Sequence, residues 1–131
     1  MTVGTTTGTV RAGAKQAFAV GVLEVSMPKT ATAVAGAATL NQGAGFVTSQ
    51  PLTTAAAATA TFTITNSFIV ATDMIFASVN LGTATTGVPA VATCSAGAGV
   101  CTIVVQNIGA VAFNGTIIIG FLVVKQAPVS L

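Results

Sequence analysis

The sequence predicts an all-β protein: an antiparallel, jelly-roll-like β-sandwich preceded by an extended N-terminal arm. Three observations support this prediction: runs of alternating apolar and polar residues, turn signals between those runs, and a near absence of charge. The chain has 131 residues, the size of one ordinary domain that can bury a core. We therefore divide it into an arm, residues 1–15, and a single β-sandwich domain, residues 16–131.

The clearest strand is the run TATFTIT, in which threonine occupies every second position from Thr59 to Thr65. The positions between them carry Ala60, Phe62 and Ile64. A period of two with one polar and one apolar side is typical of a strand buried on one face. Similar runs, separated by turn residues, predict further strands at residues 16–25, 45–50, 73–80, 88–93, 100–107 and 115–124.

Two alanine-rich patches, residues 30–40 and 53–60, interrupt this strand pattern. Alanine is the best helix former, but threonine or glycine breaks each patch and neither patch has charged partners. We predict loop and strand edge in both, with a helical turn as the alternative. The threonine- and glycine-rich first 15 residues predict the extended arm.

Charge is sparse along the whole chain. Charged residues make up 5% of it, and none lies between Met74 and Val124, whereas a typical soluble domain is about one quarter charged. Such a surface suits a subunit that packs against other subunits. The net charge of +2 and the lack of tryptophan and tyrosine argue against a nucleic-acid partner.

The sequence predicts neither a membrane span nor a secretion signal. A spanning helix needs about 20 consecutive apolar residues, and the run TIIIGFLVV at 116–124 is much shorter. Its isoleucines and valines indicate a buried strand instead. The N-terminal residues lack the charged start and apolar centre of a signal peptide.

The only two cysteines are Cys94 and Cys101. The residues between them predict a hairpin centred between Gly97 and Ala98, which would place the two cysteines directly opposite each other. Opposed cysteines can form a disulfide, and so short a clasp would contribute about 2 kcal/mol. We favour the disulfide narrowly over two reduced cysteines in the core. A metal site would lack ligands, and the spacing differs from that of a redox motif.

The residue types needed for catalysis are scarce. General acid–base chemistry usually recruits histidine or paired carboxylates, and this chain has no histidine, one glutamate and one aspartate. No glycine-rich stretch matches a phosphate-binding loop. We expect no enzyme, no cofactor and no metal site. We expect Asp73 to form a surface ion pair or turn bonds, and Asn114-Gly115 to form a hairpin turn.

Several turn-and-strand patterns occur between residues 52 and 124. They are Thr65-Asn66-Ser67, the strand at 73–79, the paired strands around 96–99, the segment 105–107, and Asn114-Gly115-Thr116 before the last strand. This part of the chain resembles a small β-rich module of tailed bacteriophages and large DNA viruses, which occurs in capsid decoration (cement) and fibre-type proteins. The resemblance implies a jelly-roll-like sandwich that trimerises. The cysteine pair departs from the module, and the first fifty residues are unmatched.

Two functions follow as expectations. The first is a structural virion protein: a capsid decoration protein on the capsid exterior, binding the major capsid protein as a homotrimer. Arg11 and Lys15 of the arm would then contact an acidic shell. The alternative is a subunit of an extracellular filament or surface layer, assembled by donating the arm as a strand to a neighbour. A carbohydrate-binding fibre head is disfavoured by the lack of tryptophan and tyrosine.

Overall fold

The computed structural model describes residues 30–126, which form eight β-strands in two packed sheets. The strands are β1 (Thr30–Thr32), β2 (Ala37–Thr39), β3 (Ala44–Thr48), β4 (Thr59–Thr65), β5 (Met74–Leu81), β6 (Pro89–Gly97), β7 (Val100–Asn107) and β8 (Ile117–Val124). Sheet A has the strand order β1-β3-β8-β5 and sheet B the order β2-β4-β7-β6. The predicted all-β sandwich is confirmed.

The predicted antiparallel arrangement is wrong at one edge of each sheet. Strands β1 and β3 pair in parallel, as do β2 and β4, whereas the other neighbouring strands pair antiparallel. The reason is the path of the chain, which from β1 to β5 passes to the other sheet at each connection. A strand in the opposite sheet carries the chain back to the end of the sandwich at which the previous strand began. The next strand in the first sheet therefore runs parallel to the previous strand of that sheet. The jelly-roll arrangement is not confirmed.

Most predicted strands within residues 30–126 are found close to their predicted positions. Strands β4 and β7 match at both ends, whereas β3 and β5 differ by one or two residues at both ends and β8 by two residues at its start. Strand β6 is longer than predicted because it continues to the turn at Ala98-Gly99. The predicted arm, residues 1–15, and the predicted strand at 16–25 lie outside the described residues.

The first alanine-rich patch contains two edge strands, β1 and β2, joined by a tight turn. Val34 and Ala37 exchange two backbone hydrogen bonds of 2.8 and 2.9 Å. Between them Ala35 and Gly36 have φ angles of +50° and +79°, as a two-residue hairpin turn requires. A Cβ at position 36 would lie 2.6 Å from the Thr61 carbonyl oxygen, so glycine is needed there. This patch was predicted as loop and strand edge; it forms two edge strands with a turn at Ala35-Gly36 between them.

The core lies between the inner faces of the two sheets. Its largest buried side chains are Phe62, Ile64, Ile69, Ile103, Phe113, Ile117, Ile119 and Phe121. Edge strands β5 and β6 meet along one side, where the Cys94 thiol donates a hydrogen bond of 3.1 Å to the Ile75 carbonyl. No helix within residues 30–126 is long and apolar enough to cross a membrane.

Candidate functional site: two contrasting sheet faces

The outer face of sheet A is apolar. It carries the large side chains of Phe46, Met74, Phe76, Ile118, Leu122 and Val124, which we call the apolar face. Met74 and Phe76 are 62% and 56% exposed. Strand register makes the patch continuous, because Leu122 pairs with Phe76 on β5 and Val124 pairs with Met74. Exposed apolar patches of this kind mark interaction sites.

A shallow groove crosses this face where β8 presents no side chain. Gly120 lies in register between Phe46 on β3 and Ser78 on β5. A Cβ at position 120 would approach the Phe46 ring to 3.2 Å, so the ring already packs over the glycine. The small residues Gly120 and Ser78 form the floor of the groove, and Phe76 and Leu122 form one wall.

The outer face of sheet B is coated with hydroxyl groups. Its polar residues are Thr39, Thr59, Thr61, Thr63, Thr65, Thr93, Ser95, Thr102 and Gln106, which we call the threonine face. Val100 and Val104 are the large apolar residues on this side, and both are half-buried. Threonine combines a high preference for strands with a hydroxyl that water can solvate. Water can therefore solvate the polar residues of this face.

One ion pair holds a corner of sheet A. The Lys125 ammonium lies 2.6 Å from Asp73 Oδ2, and the same oxygen accepts a hydrogen bond of 2.8 Å from the Val70 amide. The hydrogen bond from Lys125, and then that from Val70, lower the pKa of Asp73 below its ordinary value of 3.8. Lys125 also donates to the Phe68 carbonyl and lies 5.1 Å from the centre of the Phe68 ring. The expected ion pair and turn bond of Asp73 are confirmed.

The two members of this pair are the charged residues among residues 30–126. The described body of the protein therefore has no net charge. The net charge of +2 arises outside it, from Arg11, Lys15, Glu24 and Lys29.

Asn107 organises one end of the sandwich. Its side-chain amide donates to the carbonyls of Thr54 and Val111 at 3.1 and 2.8 Å. Its Oδ1 accepts from the amides of Val88 and Gly109, both at 3.0 Å. All four bonds join loops to the end of β7, and the residue is fully buried. Asn107 therefore fixes the loops at this end of the sandwich.

The expected hairpin at Asn114-Gly115 is wrong, because β7 and β8 lie in different sheets. The Asn114 side chain instead binds the β5–β6 connection, accepting from the amides of Thr85 and Thr86 at 2.7 and 3.1 Å. Gly115 bridges to Leu52. The asparagine is thus a clamp between two loops.

The predicted opposition of the cysteines is also wrong. The hairpin turn is Ala98-Gly99, one residue later than predicted, so Cys94 pairs with Ile103 and Cys101 with Ala96. The two cysteines are diagonal neighbours on the inner face, and both are free thiols. Diagonal neighbours are about 7–8 Å apart, beyond the usual Cα separation of a disulfide. Burial, and then the nearby Cys94, raise the pKa of Cys101 to about 11.

The predicted contact residues Arg11 and Lys15 lie outside the described residues, so their placement stays a prediction. Among residues 30–126, no group of three or more histidine, cysteine, aspartate or glutamate side chains could hold a metal ion. Sequence analysis missed the apolar face, although a signal was present. The run at 117–124 is apolar at both alternating positions, a pattern that by itself predicts a strand buried by its own domain.

Comparisons of the chain with protein-family models, curated proteins and solved structures give no match.

Proposed function

We propose that this protein is a structural virion protein: a capsid decoration (cement) protein that binds and stabilises a phage head as a homotrimer. The observation that carries the proposal is a neutral sandwich with an apolar face on one sheet and a threonine face on the other. A body of this kind gains free energy when its apolar face is covered by other subunits. The link to phage heads rests on the resemblance of residues 52–124.

The resemblance, which covers residues 52–124 and so strands β4 to β8, supports this proposal at the level of a jelly-roll-like sandwich. Its motifs, Asn66 and Asn114, bind loops at the ends of the structure. The parallel pairs β1/β3 and β2/β4 distinguish the sandwich from an all-antiparallel jelly roll. We therefore propose a shared sandwich architecture and a shared role, but not a shared strand order.

The proposed partners are the major capsid protein and further copies of this chain. The proposal includes no enzyme activity, cofactor, nucleic acid or membrane. Arg11 and Lys15 are proposed to contact acidic groups on the outside of the shell, as part of an extended arm at 1–15. The three basic residues before residue 30, Arg11, Lys15 and Lys29, would contribute little to a rim contact and are screened by salt, so we expect the arm's backbone and apolar contacts to dominate.

Purified protein mixed with phage heads tests this function. We expect a homotrimer in analytical sedimentation at micromolar concentration and regular occupancy on expanded heads in electron micrographs. Deleting residues 1–13 should reduce occupancy far more than the double substitution Arg11→Gln and Lys15→Gln, and high salt should release little protein. A monodisperse monomer that leaves heads undecorated contradicts the proposal. If the truncated chain occupies the heads fully, the arm is not the anchor, and a face of the sandwich is.

A filament or surface-layer subunit is the second candidate. The edge strand β2 pairs only with Thr63–Thr65 of the seven-residue β4, so the rest of β4 offers an edge beside which a donated strand could pair. Open-ended filaments formed by the purified protein without heads would favour this function over the first.

A further inference from the structure

We infer that the apolar face is the contact between two copies of this chain. The two faces pack on each other about a two-fold axis that lies between them and runs across the strands. Phe76 then lies over Ser78 of the partner subunit, and the reverse contact forms at the same time, because a two-fold contact is isologous. The inference goes beyond the proposed function, since the pair forms without a phage head and is a different contact from that of a trimer.

The outward residues of sheet A change in size along the strands. On β5 the large Phe76 is followed by the small Ser78, and both are exposed on the outer face. On β8 the residue paired with Phe76 is Leu122, and the residue paired with Ser78 is Gly120. A ridge of two large side chains therefore lies beside a row of two small residues, and the groove described above follows that row.

This change in size selects the direction of the two-fold axis. An axis across the strands, placed between the ridge and the groove, puts the ridge of each copy over the groove of the other. Leu122 then faces Gly120 of the partner subunit. An axis along the strands, between β5 and β8, would instead set Phe76 against Leu122 of the partner subunit and leave the two grooves facing each other as a void. Well-packed interfaces lack such voids, so the first axis is the one that fits.

Strand β3 follows the same rule. Ala44 is in register with Leu122, and Phe46 is in register with Gly120. The axis across the strands therefore sets the large Phe46 over the small Ala44 of the partner subunit. The Phe46 ring packs beside Gly120, so Leu122 of the partner subunit also contacts that ring.

The ends of the face and its charge also suit a second copy. Val124 faces Ile118 of the partner subunit, and Met74 faces Asn80 of the partner subunit, which lies on the edge strand β5. None of the residues of β3, β5 and β8 is charged, and the two charges of residues 30–126 form one ion pair. Two copies therefore bring their apolar faces together without burying a charge and without repulsion between the described bodies.

The area of the face meets the requirement of a weak but specific pair. Strands β5 and β8 have eight residues each and are about 26 Å long, and three neighbouring strands are about 14 Å wide. The face therefore covers roughly 370 Å² in projection, and more once the projecting side chains are counted. Two copies together bury on the order of 1,000 Å², the lower end of specific interfaces. We expect a dissociation constant in the micromolar range.

Exchanging the sizes of two residues on β5 tests this contact. Ser78→Phe sets large against large in both halves of the pair, so we expect self-association to weaken at least about tenfold although the face becomes more apolar. Phe76→Ala sets small against small and should weaken it at least about tenfold as well. An equimolar mixture of the two variants should recover about the parent affinity, because the added ring of one variant lies over the truncated side chain of the other. Sedimentation equilibrium measures all three.

Thr61→Phe is the matched control, because it adds the same ring at an exposed position of the threonine face and should leave association unchanged. Melting temperatures close to that of the parent show that the variants are folded. Stronger association of Ser78→Phe would overturn the inference, because the face would then bind through apolar area alone. A mixture that fails to recover association would overturn it too.

The size of the parent assembly separates this inference from the proposed function. A dimer supports the two-fold contact and contradicts the homotrimer, whereas a hexamer contains both contacts and supports both. A trimer overturns the two-fold contact, because three copies cannot all be paired by it, and leaves the proposed function intact. A monomer at high micromolar concentration overturns the two-fold contact.

Discussion

The two sheets share a core but present opposite surfaces to their surroundings. Sheet B alternates strictly: Phe62 and Ile64 are buried, while the threonines beside them on β4 are exposed. Sheet A is apolar on both sides of β8, with Ile119 and Phe121 inside and Leu122 outside. Water can solvate the outer side of sheet B but not that of sheet A. The outer side of sheet A is therefore the one that would gain free energy if another apolar surface covered it.

The largest expected effect comes from placing charge on the apolar face. The double substitution Phe76→Asp and Leu122→Asp removes two large side chains worth about 1.5–3 kcal/mol each when fully buried. We expect self-association to weaken at least about a hundredfold, with little change in melting temperature because both side chains point outward. Sedimentation as a function of concentration measures this change.

The matched variant for this prediction lies on the threonine face. Thr61→Asp with Thr63→Asp introduces the same charge on exposed positions of β4 and should leave association unchanged. Equal losses in both variants would mean that net charge, not the apolar face, controls assembly.

The next effect concerns Asn107, which ends β7 of sheet B and holds the loops leading to sheet A. Asn107→Ala leaves two amides and two carbonyls without their side-chain partner in a buried site. We expect the free energy of unfolding to fall by about 3 kcal/mol in urea denaturation. Asn114→Ala breaks exposed bonds and should cost about 1 kcal/mol. Similar losses in the two variants would contradict the role given to burial.

The sequence predicted the buried side of β4 in sheet B better than that of β8 in sheet A, for a physical reason. TATFTIT alternates, so both its strand boundaries and its buried side follow from the pattern alone. β8 is apolar on both sides, and a pattern without alternation cannot say which side the domain itself covers. Parallel pairing of β1 and β3 depends on the path through the other sheet, which local residues do not encode. The predicted pairing of Cys94 with Cys101 was wrong because a one-residue shift of the turn changes which residues face each other along the whole hairpin.

The free thiols give a test on the inner face of sheet B. Because the thiolate is the reactive form and the pKa of Cys101 is about 11, Cys101 should resist alkylation at neutral pH in the folded protein. Both cysteines should react after unfolding, and mass spectrometry of unreduced protein should find no linked peptide. Cys101→Ser should cost about 2 kcal/mol by burying a hydroxyl, and Cys101→Ala less. Detection of a peptide in which Cys94 is linked to Cys101 would show that the disulfide predicted from the sequence does form.

The rim of sheet A provides a smaller, pH-dependent effect. Asp73 has a lower pKa in the folded protein than in the unfolded chain, so its contribution to stability is present above 3.8 and lost as pH falls through the folded value. The melting temperature should therefore decline below pH 3.8 in the parent protein. The Asp73→Asn variant should be less stable at neutral pH, and its melting temperature should depend less on pH in acid. If the melting temperatures of both proteins decline equally as pH falls, groups other than Asp73 cause the acid sensitivity.

The smallest effect is expected at the rim of sheet B, in the turn that precedes β4. Ala57 has a φ of +62°, a left-handed conformation that costs a residue with a Cβ roughly 1–2 kcal/mol. Ala57→Gly relieves that strain but gives the unfolded chain more freedom, so we expect a net gain of about 0.5 kcal/mol. The hydrogen bond of 2.8 Å that the backbone N–H of residue 57 donates to the Asn107 carbonyl is kept. The neighbouring Ala56→Gly adds freedom to the unfolded chain at a position without positive φ and should lower stability instead. Association should be unchanged in both variants, since neither residue touches the apolar face. If Ala57→Gly lowers the stability of the fold, the turn is not strained at this residue.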